Sequence, residues 1–246
     1  MTMFVDTHCH LDAYPDPDRV LAQAAETVVV AVTELPSRYR LLATRFPKHP
    51  RLRVALGLHP LHAHDAGPLE VGTLVRLLGS VDYLGEVGLD FSRHGQQTRR
   101  AQLAVFDRLL AQPEIAYKVV TVHSRGAEEE VIARLRAASL RAILHWYTGP
   151  LRLIDEAVAA GLYVSVNPAM LRTAKGRALL SALPAERVLT ESDGPYAKLG
   201  GRQAMPRDMP RIIQALANAW DVTIIDAQRR VYDNMAELYR VTVGAK

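Results

Sequence analysis

One alternation constrains this chain more than any other feature. Short β-branched apolar runs are followed, time after time, by stretches whose apolar residues recur at helical spacing. Expected strands fall at 3–5, 27–33, 52–56, 83–87, 118–122, 141–144, 162–166 and 187–190. Between them, helical patterns are read at 18–25, 69–78, 97–110, 128–137, 151–160 and 176–182, with 207–220 and 226–239 closing the chain. Runs such as VVVAV and KVVTV are nearly continuously apolar, without the regular polar alternation of a half-exposed strand. That suits strands covered on both faces, as in a parallel sheet, and not a half-solvated antiparallel one. Eight such units in 246 residues fit a TIM (β/α)8 barrel of the amidohydrolase-like kind, as a single domain over 1–246. An open doubly wound sheet is the rival architecture. The missing G-x-G-x-x-G after the first strand weakens it.

Polar residues gather where these strands end. Asp6-Thr7-His8-Cys9-His10 follows the first, Gly57-Leu58-His59-Pro60 the third and Gly85-Glu86 to Asp90 the fourth. His123-Ser124-Arg125 follows the fifth, His145-Trp146-Tyr147 the sixth, and Glu191-Ser192-Asp193 the eighth. A barrel brings all carboxyl strand ends to one face, so these distant residues are expected to meet there. Imidazole and carboxylate together suit divalent first-row metals. His8 and His10 stand two apart, on one side of an extended segment. Glu86 on the barrel floor is suited to bridge two ions, here Mg, Mn or Zn. Singly, each residue has a plainer reading: a hydrogen-bonded core histidine, or a helix N-cap for Asp193. Coincidence at five strand ends is what favours the site. His49, His62 and His64 read as loop histidines, and Cys9 as a small packed residue facing away from its neighbours.

Bulk properties exclude several classes. A net charge of +4 is too small to claim nucleic-acid binding, but does not repel a polyanion. The single cysteine forbids an intrachain disulfide and accords with a cytoplasmic setting. No apolar run approaches the ~20 residues that span a bilayer, and no signal-peptide pattern opens the chain.

The motifs DTHCHLD, GLHP, GEVGLD, HSR, HWYTG and ESDGP, in this order, resemble the TatD family of metal-dependent deoxyribonucleases. NPAMLRTAKGRALL, HWYTG and ESDGPYAKLGGR further resemble the TatD-like nuclease subunits of Qat anti-phage defence systems. The family resemblance implies that His8, His10 and Asp193 bind one metal, and that Glu86 bridges to a second held by His123 and His145. His59 and Arg125 would support the metal ligands from behind or contact phosphate, and Asp193 and Glu86 would carry the catalysis. Two positions depart from the family pattern: Ser192 replaces a threonine, and Trp146-Tyr147 replace smaller or different residues. The implied reaction is hydrolysis of phosphodiesters, at the ends of single-stranded DNA, with other Qat subunits as partners. Tyr147, Tyr196 and Trp146 would stack on bases. Arg172, Lys175 and Arg177, with Lys198, Arg202, Arg207 and Arg211, would face the polyanion. The alternatives are an amidohydrolase-type enzyme acting on a small cyclic amide or ester, and a structural subunit of a defence complex.

Overall fold

The computed structural model describes residues 2–245; Met1 and Lys246, the ends of the expected domain, lie outside the described residues. Eight parallel strands form the barrel: β1 (Phe4–Cys9), β2 (Thr27–Ala31), β3 (Leu52–Val54), β4 (Tyr83–Gly88), β5 (Val119–His123), β6 (Ile143–Leu144), β7 (Tyr163–Val166) and β8 (Val188–Thr190). Ladders join β1 to β3 and β4 to β8 in sequence order. Two seams complete the ring. Leu56 N donates to Tyr83 O at 3.1 Å, and Gly85 N to Leu56 O at 2.8 Å, linking the end of β3 to β4. Thr7 Oγ1 donates to Thr190 O at 3.1 Å, and Asp193 N to His8 O at 2.9 Å, linking β8 back to β1.

The outer layer comprises α1 (Pro17–Ala22), α2 (Pro36–Arg45), α3 (Gly67–Leu77), α4 (Arg99–Leu110), α5 (Glu128–Ala137), α6 (Ile154–Ala159), α7 (Pro168–Leu171), α8 (Ala174–Ala182), α9 (Met209–Trp220) and α10 (Ile224–Val241). Each packs by its apolar stripe. In α9 the buried residues Met209, Ile212, Ile213, Leu216 and Ala217 follow helical spacing, and this helix lies against β1 and β8. Beside it, α10 covers the same seam. Full burial of such Leu and Ile side chains contributes roughly 1.5–3 kcal/mol each. A smaller second core, around Leu11, Val20, Leu21 and Leu42, sits beneath α1 and α2. No helix among the described residues is long and apolar enough to cross a membrane.

The strand and helix order matches the expectation, with instructive differences. β1 runs on to Cys9, four residues beyond its expected end, so His8 lies within the strand instead of after it. The reason is that its inward polar side chains find partners across the barrel, which a count of apolar residues does not register. α2 has no counterpart in the sequence reading: only Pro36 and Leu42 are buried in it, and Leu41 is largely exposed. A short hairpin, β9 (Lys198–Leu199) and β10 (Arg202–Gln203), follows β8 and was likewise not expected.

Candidate metal centre

The strand register puts the polar side chains at one end of the barrel. His8 sits on β1, Glu86 on β4 and His123 at the last residue of β5, while His145 follows β6 directly. Gly88 makes the β4–β5 approach possible: a Cβ there would lie 2.1 Å from His123 O, and the backbone has φ +133°. Asp193 has φ +44° and Trp146 φ +39°, both in the left-handed region that non-glycine residues seldom occupy. Such conformations persist where surrounding contacts enforce them. Here Asp193 N is held by His8 O, and Trp146 N donates to Glu191 Oε1 at 3.0 Å.

Glu86 stands at the middle. Its Oε2 lies 3.4 Å from His8 Nε2 and 3.3 Å from His10 Nε2. Its Oε1 lies 2.5 Å from His123 Nδ1, 3.0 Å from His145 Nε2 and 3.5 Å from His59 Nε2. Asp193 Oδ1 is 3.6 Å from His10 Nε2 and 3.9 Å from His8 Nε2. The two carboxylate oxygens of Glu86 thus face two separate groups of donors. His8, His10 and Asp193 form one group able to hold a cation, and His59, Glu86 and His123 another; a third combines His8, His145 and Glu191.

Outer contacts orient these rings. His8 Nδ1 meets Thr121 Oγ1 at 2.8 Å, His123 Nε2 meets Asp90 Oδ2 at 2.8 Å, and His145 Nδ1 lies 3.4 Å from Glu191 Oε1. Each ring therefore directs its other nitrogen to the centre, His8 and His123 by hydrogen bonds of the kind that fix metal-ligating histidines and His145 by its ionic contact with Glu191. His8 Nε2 and His10 Nε2 face each other at 3.3 Å, and both lie within 3.4 Å of Glu86 Oε2. The donor set fits divalent metal.

Electrostatics follow from burial and crowding. Burial raises the Glu86 carboxyl, but the imidazoles of His59, His145, His8 and His123 more than offset that and hold it well below the usual range. Burial pushes Asp193 up to about 7, against the pull of His145 and His10. It also drives His59 down to about 4. Asp90 is raised by burial, yet its bonds to His123 and Ser92 bring it down to about 2.

Above the centre opens a cavity of about 500 Å³. Its walls include Glu34, His59, Arg125, Trp146 and Tyr196 as well as the central residues. Tyr196 lies edge-on to His10, with ring centroids 4.7 Å apart, and donates to Glu34 Oε1 at 2.9 Å. Tyr147 is placed differently. It is buried away from this cavity, and its hydroxyl donates to Pro150 O at 2.8 Å. Of the basic loop residues, Lys175 bonds the carbonyl of cavity-lining Thr148. Arg202 is neutralised by Asp208, and Arg207 is engaged by Gln23. His62 pairs with Glu34 at 3.3 Å. Sequence reasoning missed Thr121, Glu34, Asp90 and Glu191. The last two stand inside the motifs GEVGLD and ESDGP, so a signal was present, but their partners are other strands' histidines.

With that geometry, comparison with known proteins is decisive. The family described as TatD related DNase matches residues 5–240. The chain belongs to the TatD family. Among its TatD relatives, the metal-dependent hydrolase YjjV of Escherichia coli K12 is 31% identical over 218 residues, covering 82% of this chain and 83% of YjjV. The 3'-5' ssDNA/RNA exonuclease TatD of Edwardsiella piscicida is 34% identical over 201 residues, covering 75% of this chain and 76% of the relative. The crystal structure of a TatD-family hydrolase from Entamoeba histolytica superposes with a TM-score of 0.84 at 16% identity, over 98% of this chain and 99% of the other. This chain is therefore a TatD-family metal-dependent hydrolase on an amidohydrolase-like barrel.

Proposed function

We propose that this hydrolase cleaves phosphodiester bonds at the ends of single-stranded DNA. The single observation carrying the proposal is the divided carboxylate of Glu86, whose two oxygens face separate histidine groups. In this reading His8, His10 and Asp193 would hold one divalent ion and His123 and His145 a second, with Glu86 offering one oxygen to each group. Divalent ions, when bound, supply Lewis-acid polarisation of a phosphoryl oxygen and a water acidic enough to attack near neutral pH. Asp193, at the cavity wall, takes the proton of the attacking water through its carboxylate. Arg125 and His59 steady the phosphate, Arg125 by a forked contact to its oxygens. Tyr196 and Trp146 offer faces for bases, whereas Tyr147 supports the loop from below. The name of the Edwardsiella relative makes the 3' end the first to examine.

Purified protein supplied with Mg2+, Mn2+ or Zn2+ is expected to shorten end-labelled single-stranded DNA. Glu86→Gln, which removes the carboxylate charge shared by the two ion sites, should reduce the rate by about a hundredfold or more, as loss of a charge-stabilising group does. Intact DNA with every metal, while metal binding is measurable, overturns the proposal.

We further propose that this activity serves a Qat-type anti-phage system in the cytoplasm. Support comes from the segments NPAMLRTAKGRALL and ESDGPYAKLGGR, which follow β7 and β8. Cells carrying the complete system with Glu86→Ala should lose protection in a plaque assay. Full protection by a well-folded variant would leave only a structural role in defence.

A further inference from the structure

We propose that the segment from Phe91 to Arg100, together with Arg125, forms a track for the sugar–phosphate backbone of a single-stranded nucleic acid. It would guide the strand out of the cavity and over the start of α4. The idea rests on the phosphodiester reading above and extends it from the bond that is cut to the strand that is held.

Four arginines lie on this path. Arg125 is at the cavity wall. Its carbonyl accepts from Phe91 N at 2.9 Å, which ties the loop after β5 to the loop after β4. The Arg99 guanidinium lies over the Phe91 ring, 4.3 Å from its centroid. Arg93 and Arg100 are exposed on the same segment. No acidic residue occurs from 91 to 106. Several arginines elsewhere on the surface meet carboxylates, among them Arg152 with Glu129, Arg229 with Asp226 and Arg240 with Glu237. Among the described residues no ion pair within 4.0 Å engages Arg93, Arg99, Arg100 or Arg125. Nor do these cations stabilise their own helix. Arg99 and Arg100 occupy the first turn of α4, which holds no acidic residue, so they oppose the helix dipole.

The segment is also built rigidly. Gln102, fully buried, accepts from Asp90 N at 2.7 Å and donates to Gly95 O at 2.9 Å. Asp90 Oδ1 accepts from Ser92 N at 2.9 Å, and its other oxygen holds His123. A surface that is already ordered loses little entropy on binding. A row of arginines without carboxylate partners, leading away from the cavity, is the kind of basic groove by which sequence-tolerant single-strand binding tracks the backbone.

The test uses metal-loaded protein and fluorescent phosphorothioate oligo-deoxythymidine of four and sixteen nucleotides, read by anisotropy. The variant is Arg93→Gln/Arg99→Gln/Arg100→Gln, leaving Arg125 in place. A charge-matched control is Arg152→Gln/Arg229→Gln/Arg240→Gln. For the track variant, Kd for the 16-mer should rise about tenfold and Kd for the 4-mer less than twofold. Its log–log salt slope should shrink by about two, the counterion release of three single-strand phosphate contacts. The control should stay within twofold throughout. A 16-mer Kd within twofold of wild type, an equal loss in the control, or no binding of the 16-mer by wild type each overturns the track. If wild type grips the 16-mer through these arginines but leaves unmodified DNA intact, the track stands and the hydrolysis proposal falls.

Discussion

At the scale of single residues, orientation of the histidines is the controlling feature. Glu191 is buried and engages His145, Trp146 N, Ser165 and Asn167 together. Removing such a partner typically lowers metal affinity 10–100-fold. We expect Glu191→Ala to do so in a competition titration with a chromogenic chelator, and Glu191→Gln to restore part of the affinity. Unchanged affinity in Glu191→Ala would show that His145 needs no orienting carboxylate. Asp6 supplies a pH prediction. Burial is the largest influence on it and raises its carboxyl from 3.8 to about 7, although its bonds with Ser192 and His8 oppose this. Between those values the folded chain holds a proton that the unfolded chain has released. Stability from this group is therefore full below about 4 and declines as pH rises towards 7. Asp6→Asn keeps the acceptor for Ser192 N and cannot ionise. Its urea midpoint relative to wild type should increase from pH 5 to pH 8; a constant difference would contradict the assignment.

At the scale of elements, the loops after the strands do the positioning, and their ends are secured by caps. Thr173 caps α8 by accepting from Gly176 N at 2.9 Å, and Thr223 caps α10 by accepting from Asp226 N at 3.1 Å. Replacing either threonine with alanine should lower unfolding free energy by about 1 kcal/mol, measured by chemical denaturation. Thr223→Ala, at the exposed start of α10 and outside the cavity lining, should leave activity unchanged. Gly88→Ala differs in kind. The added methyl would collide with His123 O, so β4 and β5 must separate at the point where His123 meets Glu86. We expect it to weaken metal binding in the same chelator titration; wild-type affinity would mean that the strand ends can part without moving His123.

At the scale of the whole molecule, the barrel and the metal centre are thermodynamically linked. The proposed ligands come from β1 and the turn after it, β4, β5, the turn after β6 and the turn after β8, so a bound cation would tie the two seams of the ring together. Metal at 100 times its Kd should stabilise the fold by about 2.7 kcal/mol per site. Thermal unfolding followed with metal and with EDTA should show the metal-loaded form melting several degrees higher. Equal melting temperatures would indicate that the barrel is indifferent to the ions. Burial and Glu191 and Glu86 act on His145, and the last two outweigh burial and raise it well above its ordinary value. Cation entry must then expel protons, so affinity should fall as pH is lowered. Calorimetry in buffers of different ionisation enthalpy measures that release directly.

The chain's own pattern determined the order of strands and helices and singled out the six residues that the fold brings together, because hydrophobic periodicity and motif spacing are local properties. The family resemblance also pointed to His59 and Arg125, and the stacking argument to Tyr196; all three line the cavity. Tyr147 and Trp146 were not separable from the sequence, since neighbours on one loop differ only in which way the backbone turns, and Trp146 takes a left-handed φ. The pairing of Asp90 with His123 and of Glu191 with His145 is equally invisible locally: each joins residues dozens of positions apart. The extension of β1 through His8 and the neutralisation of Arg202 by Asp208 depend likewise on contacts made only after folding. Tertiary structure decided these matters because a buried polar group is stable only beside its partner, and the closing of the ring is what brings the partners together.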